Sequence, residues 1–238
     1  MIKGLVITLG VVVGLGALAD RGVAAVAANA TADQIKIHEG LSERPDVTFR
    51  GFPFLTQAVR GDFRAVDVTV RDLEREGLTI DRIDAHLEGV KVDLGDAMAG
   101  RVTAVPVREG EATVRVTYGD LQSYLASKPG NLRLVTKAGQ VFVTTSIGIP
   151  GVGAVDVEGT PKVSVANRTI RVTVSNMRTA DGRGGLTAAL AAQAASRASF
   201  TVPLGKLPFG IDAASAAFTD TALVVEATAQ GIVVDVTR

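Results

Sequence analysis

The sequence predicts an α+β protein built mainly of long antiparallel strands, with an Ala-rich helix against the sheet and a signal or anchor helix in front. Three observations carry this reading. From residue 45 onward the apolar residues alternate with period two, as in half-buried strands. The alternating segments are separated by short Gly, Asn, Asp and Pro turn signals rather than by long helices, which favours hairpins over crossovers. The clearest helical window in the second half, "LTAALAAQAASRAS" (186–199), is made mostly of Ala, small enough to lie close in the sheet's concavity.

In chain order, Lys3 is followed by an uncharged run, "GLVITLGVVVGLGALA" (4–19), that ends at Asp20 and Arg21. This is the pattern of an export signal. As a helix the run spans about 24 Å, short of a hydrocarbon core of about 30 Å. Small residues at Ala17 and Ala19, and again at Ala28 and Ala30, mark two possible cleavage sites. An uncleaved helix continuing outward through residues 20–41 fits as well. Either way the domain from residue 31 on lies outside the cytoplasmic membrane, with residues 1–30 as signal peptide or anchor. Removing residues 1–30 takes Lys3, Arg21 and Asp20 from the 25 basic and 25 acidic residues and leaves a net charge of −1.

A helix is expected from about Ala24 to Leu41 and a short turn of helix from Pro53 to Val59. Strands follow in "FRAVDVTVRDL" (63–73), "LTIDRIDAHLEGVKVDL" (78–94) and "ATVRVTY" (112–118). A helix is expected in "GDLQSYLAS" (119–127). Further strands lie in "NLRLVTKAGQVFVTTSIGI" (131–149), "GAVDVEG" (153–159), "KVSVANRTIRVTVSNM" (162–177) and "TALVVEATAQGIVVDV" (221–236). Gly89, Gly95 and Gly159 fall where bulges or sharp bends are expected. No fixed-period repeat and no long linker divides the chain.

Composition narrows the function. The balanced charge gives no field to gather nucleic acid. The absence of cysteine removes disulfides, thiolate metal sites and a Cys nucleophile. The two histidines, His38 and His86, fall on a helix and a strand, and no nucleophile elbow, H-E-x-x-H or phosphate-binding loop occurs. Asp81, Asp84, Glu88, Asp93 and Asp96 form a carboxylate cluster, in which Asp84 and Glu88 are the pair a glycosidase reading would use, but alternation sends most of them to solvent. "DGRGG" (181–185) lacks the later ligands of a calcium loop. No catalytic residue, metal or cofactor is assigned.

The distinctive residues are apolar. Four of the eight phenylalanines, Phe49, Phe52, Phe54 and Phe63, lie within fifteen positions, bracketed by Arg50, Arg60 and Arg64. "SFTVPLGKLPFGI" (199–211) repeats the grammar with Lys206, Pro208 and Phe209. Proline fixes φ and removes a donor, so both stretches are turns that hold their phenylalanines in set directions. They serve as core plugs, as the mouth of an acyl-chain cavity, or as a membrane contact. The candidate lipid-binding residues are Phe52, Pro53, Phe54, Leu55 and Phe209, and the candidate headgroup contacts are Arg50, Arg60, Arg64 and Lys206.

The order "ALADRG", "RGFPFLTQAVRGDFRAVDVTV", "HLEGVKVDL", "FTVPLGKLPFGI" and a closing hairpin in "GIVVDV" resembles the actinobacterial LmeA family of phospholipid-binding proteins over nearly the whole chain. Its most specific element is Gly51-Phe52-Pro53-Phe54 with Gln57 and Arg60-Gly61. The resemblance implies a strongly curved antiparallel sheet wrapped around a long helix, of the tubular lipid-binding type, in an exported envelope protein. It implies binding of anionic phospholipid such as phosphatidylinositol species at a membrane surface, and a role near lipoglycan (lipomannan-type) assembly with an envelope glycosyltransferase as partner. The alternative is an envelope scaffold that binds a protein partner and has no lipid cavity.

Overall fold

The computed structural model describes residues 2–128, 131–149, 151, 153–166, 169–182, 185–203 and 213–235. The elements are α1 (Ile2–Glu39), β1 (Asp46–Arg50), α2 (Phe54–Arg60), β2 (Asp62–Arg75), β3 (Leu78–Lys91), α3 (Leu94–Met98), β4 (Ala104–Thr117) and α4 (Tyr118–Ala126). They continue with β5 (Arg133–Lys137), β6 (Gln140–Ile149), β7 (Gly153–Ala166), β8 (Thr169–Thr179), α5 (Ala188–Ala198), β9 (Phe200–Pro203), β10 (Ala213–Phe218) and β11 (Ala222–Asp235). The α+β class read from alternation holds. The strands, however, form two open antiparallel sheets, ordered β1-β2-β3-β4-β11-β10 and β5-β6-β7-β8-β9, where one sheet was expected.

The division begins at α4. Thr117 caps this helix by accepting the Asp120 N–H, and Leu121, Tyr124 and Leu125 at i, i+3 and i+4 are all buried on one face. Gln122 then ties the chain beyond the helix, donating to the Leu132 carbonyl and accepting the Leu134 N–H at 2.8 Å. A new meander starts there. Only after β9 does the chain return to the free side of β4, where β11 pairs with it over its length. Alternation does not encode that return.

On the inner face of the first sheet the register aligns Val70, Ile83, Val114 and Val225 across four strands. They join Leu121 and Leu125 of α4 and Val143, Ile170, Val172 and Val202 of the second sheet in one core. Each such side chain contributes roughly 1.5–3 kcal/mol of burial. α5 is capped by Thr187 and packs against the second sheet with two fully buried alanines, Ala194 over Ile147 and Val157 and Ala198 in the main core.

The opposite face of the second sheet holds a buried carboxylate. Glu158 is 2% exposed and lies between Lys137 Nζ at 2.5 Å and Arg178 at 3.0 Å. Burial alone pushes its pKa up, but the two cations outweigh this and hold it below the usual carboxylate range. The next residue, Gly159, marks a register shift between β7 and β8, as a bulge was expected to do. A Cβ there would stand 2.4 Å from Met177 Sδ and 2.7 Å from the Ser175 carbonyl, so glycine is the residue that fits.

α1 is continuous from Ile2, as in the alternative of a helix continuing outward from the run, and ends where Gly40 takes φ 63° and Leu41 N–H bonds back to the Lys36 carbonyl. Three expectations need correction. Gly95 lies inside α3 and makes no bulge. β11 runs unbroken through "GIVVD", and the closing hairpin is formed by β10 with β11. β4 begins at Ala104, eight residues before the strand expected at Ala112. Asn167 and Arg168, inside the strand segment expected at 162–177, lie outside the described residues. Among the described residues no helix is long and apolar enough to cross a membrane.

Candidate functional site

The Phe-Pro-Phe stretch forms a braced corner where α1, β1, α2 and β2 meet. β1 delivers the chain to Gly51 (φ 91°), the Phe52–Pro53 peptide is cis, and α2 starts at Phe54. Pro53 stands at the N-cap position and supplies no side-chain cap. The cap comes from α1 instead, because the Asp20 carboxylate accepts the N–H groups of Phe54 at 2.9 Å and Leu55 at 2.8 Å. Asp20 is only 2% exposed. Burial pushes its pKa up, but these two N–H groups and neighbouring Arg21 outweigh that and hold it below the usual carboxylate range.

Gln57 fastens the other side. Its amide nitrogen donates to the Arg50 and Pro53 carbonyls, and its oxygen accepts the Arg64 N–H at 2.8 Å. Gly61 closes α2 with φ 64°, and a Cβ there would lie 2.3 Å from the Val92 carbonyl oxygen.

This bracing sorts the phenylalanines. Phe49, Phe54 and Phe63 stack as a trio with ring centroids 5.1–5.8 Å apart, and Phe54 is 4% exposed. Phe52 points the other way at 50% exposure, joined by Leu55 at 43% and Val59 at 74%, which share a face of α2 at i and i+4. The Arg21 guanidinium covers Phe52 at 5.4 Å from the ring centroid and donates to the Gly51 carbonyl. Arg60 and Arg64 are exposed beside the turn. Arg50 turns to the outer face of the first sheet and pairs with Asp67. Lys206 and Phe209 lie outside the described residues.

Residues that the sequence reading passed over extend the apolar corner. α3 packs beside α2 and exposes Leu94 and Met98, again at i and i+4. Asp93 caps it through the Asp96 N–H. The Asp N-cap before two apolar residues four apart was the available signal. Ten large apolar side chains are exposed among the described residues. Five, Phe52, Leu55, Val59, Leu94 and Met98, belong to the α2 turn and α3, four are spread along α1 from Leu18 to Ile37, and the tenth is Val233. Large exposed apolar patches on otherwise folded surfaces mark lipid or protein contacts.

A second, polar concavity of about 430 Å³ lies on the outer face of the first sheet, lined among others by Arg50, Asp67, Asp84, His86 and Glu111. The two carboxylates of the glycosidase reading sit on this side of β3, and each is neutralised. Asp84 pairs with Arg82 at 2.7 Å, and Glu88 with Arg108 at 2.7 Å. Asp81 lies 3.5 Å from Arg115, and Asp96 3.3 Å from Arg101. His86 Nδ1 bonds to Asp67, which also holds Arg50. His38 lies on α1, bonded to the Gln34 carbonyl.

The hydrogen bond to Asp67 raises the His86 pKa above its ordinary 6.5, against burial and with help from Glu88. Because the folded value is the higher one, the stability this contact contributes is complete below about pH 6.5 and is lost as pH rises through the folded value. Wild-type Tm should therefore fall through that window, with His86→Gln removing this part of the slope. An unchanged slope in thermal melts of the variant would refute the assignment.

The family described as LmeA-like phospholipid-binding matches residues 18–228. Comparison with curated proteins and with solved structures finds no match.

Proposed function

The chain belongs to the LmeA-like phospholipid-binding family, and from that premise we propose that it is a non-catalytic phospholipid-binding protein of the cell envelope that meets the membrane through the α1–α2–α3 corner. The observation that carries this is the concentration of exposed apolar side chains there, at the end of the uncharged run 4–19. Phe52, Pro53 and Leu55 are the acyl-chain contacts in this reading, and Arg60 and Arg64 the headgroup contacts, since among the described residues neither guanidinium is paired with a carboxylate. Phe54 supports the corner from within. Arg50 serves the headgroup only by leaving Asp67. Phe209 and Lys206, with the same Pro-Phe grammar, make a second contact of the same kind. The long strands and the offset at Gly159 support curved sheets. The pairing of Asp84 and Glu88 with arginines supports a non-catalytic role.

Export, by the run 4–19, places this corner at the outer surface of the cytoplasmic membrane. A preference for anionic, phosphatidylinositol-type lipid and a part in lipoglycan assembly beside an envelope glycosyltransferase rest on the family resemblance. The test is lipid analysis of the full chain produced in an envelope-bearing host. After extraction and exchange into fresh detergent, solvent extraction and mass spectrometry should find close to one phospholipid per chain, anionic over zwitterionic. Phospholipid no higher than that carried by an unrelated exported protein taken through the same steps, with no uptake from vesicles, would overturn the proposal.

A further inference from the structure

We infer that the bond between Ala19 and Asp20 is where the targeting run is removed, and that residues 20–39 remain in the mature protein as part of the folded domain. The inference rests on the export reading above. Two small-residue sites compete, Ala17-Leu18-Ala19 and Ala28-Asn29-Ala30, and sequence alone treats them alike. Structure separates them. Cleavage after Ala30 would discard four tethers. The first is the Asp20 cap on α2, and the second is the Arg21 bond to the Gly51 carbonyl at 2.7 Å. The others are the buried Ala24 side chain and the Asn29 carbonyl that accepts from Arg44 at 2.6 Å.

It would also strip the N-terminal half from the helix segment that packs along β1 and α2. The Phe54 and Leu55 N–H groups would lose their acceptor.

Cleavage after Ala19 discards none of these. Leu18 is 71% exposed and Ala19 is exposed, whereas Asp20 is the first buried residue of α1 among those whose side chains are described. The family match begins at residue 18, so residues 20–39 lie inside it and most of the run lies outside. A run of about 24 Å is also short for a permanent anchor. The step is a hydrolysis by a membrane peptidase. One water is consumed, the Ala19–Asp20 amide breaks, and the products are the Ala19 carboxylate on the leader and a new amino group on Asp20.

The experiment expresses the full chain with its own leader in an envelope-bearing host and reads the intact mass of the product. A parallel measurement of protease accessibility in spheroplasts reports export separately. A mature chain beginning at Asp20 is expected. Ala17→Gln with Ala19→Gln should leave the leader attached, and Ala28→Gln with Ala30→Gln should leave processing unchanged. A mature chain beginning at Thr31, or a block of processing by the second pair, overturns the inference, as does an exported chain that keeps Met1. A chain that keeps Met1 and is shielded from external protease refutes the export reading instead.

Discussion

The full chain carrying Phe52→Asp and Leu55→Asp is expected to lose uptake of fluorescent phospholipid from vesicles by at least about a hundredfold while keeping its wild-type Tm. Transfer of an exposed Phe and Leu into an apolar phase is worth roughly 1.5–3 kcal/mol each, and about 1.4 kcal/mol is a factor of ten. Replacing both by carboxylates removes that gain and adds repulsion from any anionic headgroup. Neither side chain supports the fold, since each is more than two-fifths exposed, and surface changes of this kind usually stay within about 0.5 kcal/mol. Unchanged uptake would remove the corner from the lipid site. A collapsed Tm would mean that these residues are core.

Phe54→Ala, two residues from Phe52, is expected to behave in the opposite way and to cost about 3–5 kcal/mol of unfolding free energy. Its ring closes the trio with Phe49 and Phe63 at 5.3 and 5.8 Å, and truncation leaves a cavity that the braced turn cannot collapse into. The turn is held by Asp20 on one side and Gln57 on the other. Urea unfolding checks this. A midpoint unchanged from wild type would show that the trio carries no load. Phospholipid uptake by the fraction that remains folded should be preserved, which separates a structural phenylalanine from a lipid-facing one.

How far the sequence could be read depended on the reach of each interaction. β2 and β3 were legible because Val66, Val68 and Val70, and Ile83, Ala85 and Leu87, alternate over many residues against polar neighbours. β10, "AASAAF", was not, because alanine on both faces erases the pattern, and β1 at five residues was too short to show one. The helices at 118–126 and 188–198 were legible from one apolar face and from Ala content. α3 escaped notice because it is a single turn.

At the site, the Phe cluster and its proline stood out in the sequence. Which phenylalanine would face outward did not. That choice is made by a carboxylate 34 residues upstream, Asp20, and by the pairing of β1 with β2. Similarly, Arg50 reads as a neighbour of the Phe-Pro turn, but strand register, with the partners Thr48↔Asp67 and Arg50↔Ala65, sets it diagonal to Asp67 on the same face.

Glu158 also bears on how the second sheet avoids mispairing. Strand side chains alternate with period two, so a slip of one residue exchanges the two faces of a strand. In a slipped β7, Glu158 would take the place of Val157, among Ile147 and Ala194 under α5, with Lys137 and Arg178 on the far side of the sheet. An unpaired charge in that position costs several kcal/mol, far more than is lost when one aliphatic side chain becomes exposed. A hydrophobic residue at 158 would remove this one penalty and leave rejection of the slip to Asp156, Lys162 and Ser164, which the same slip turns inward. The buried carboxylate thus acts as a proofreading mark that adds to the alternation of valines in rejecting the wrong alignment.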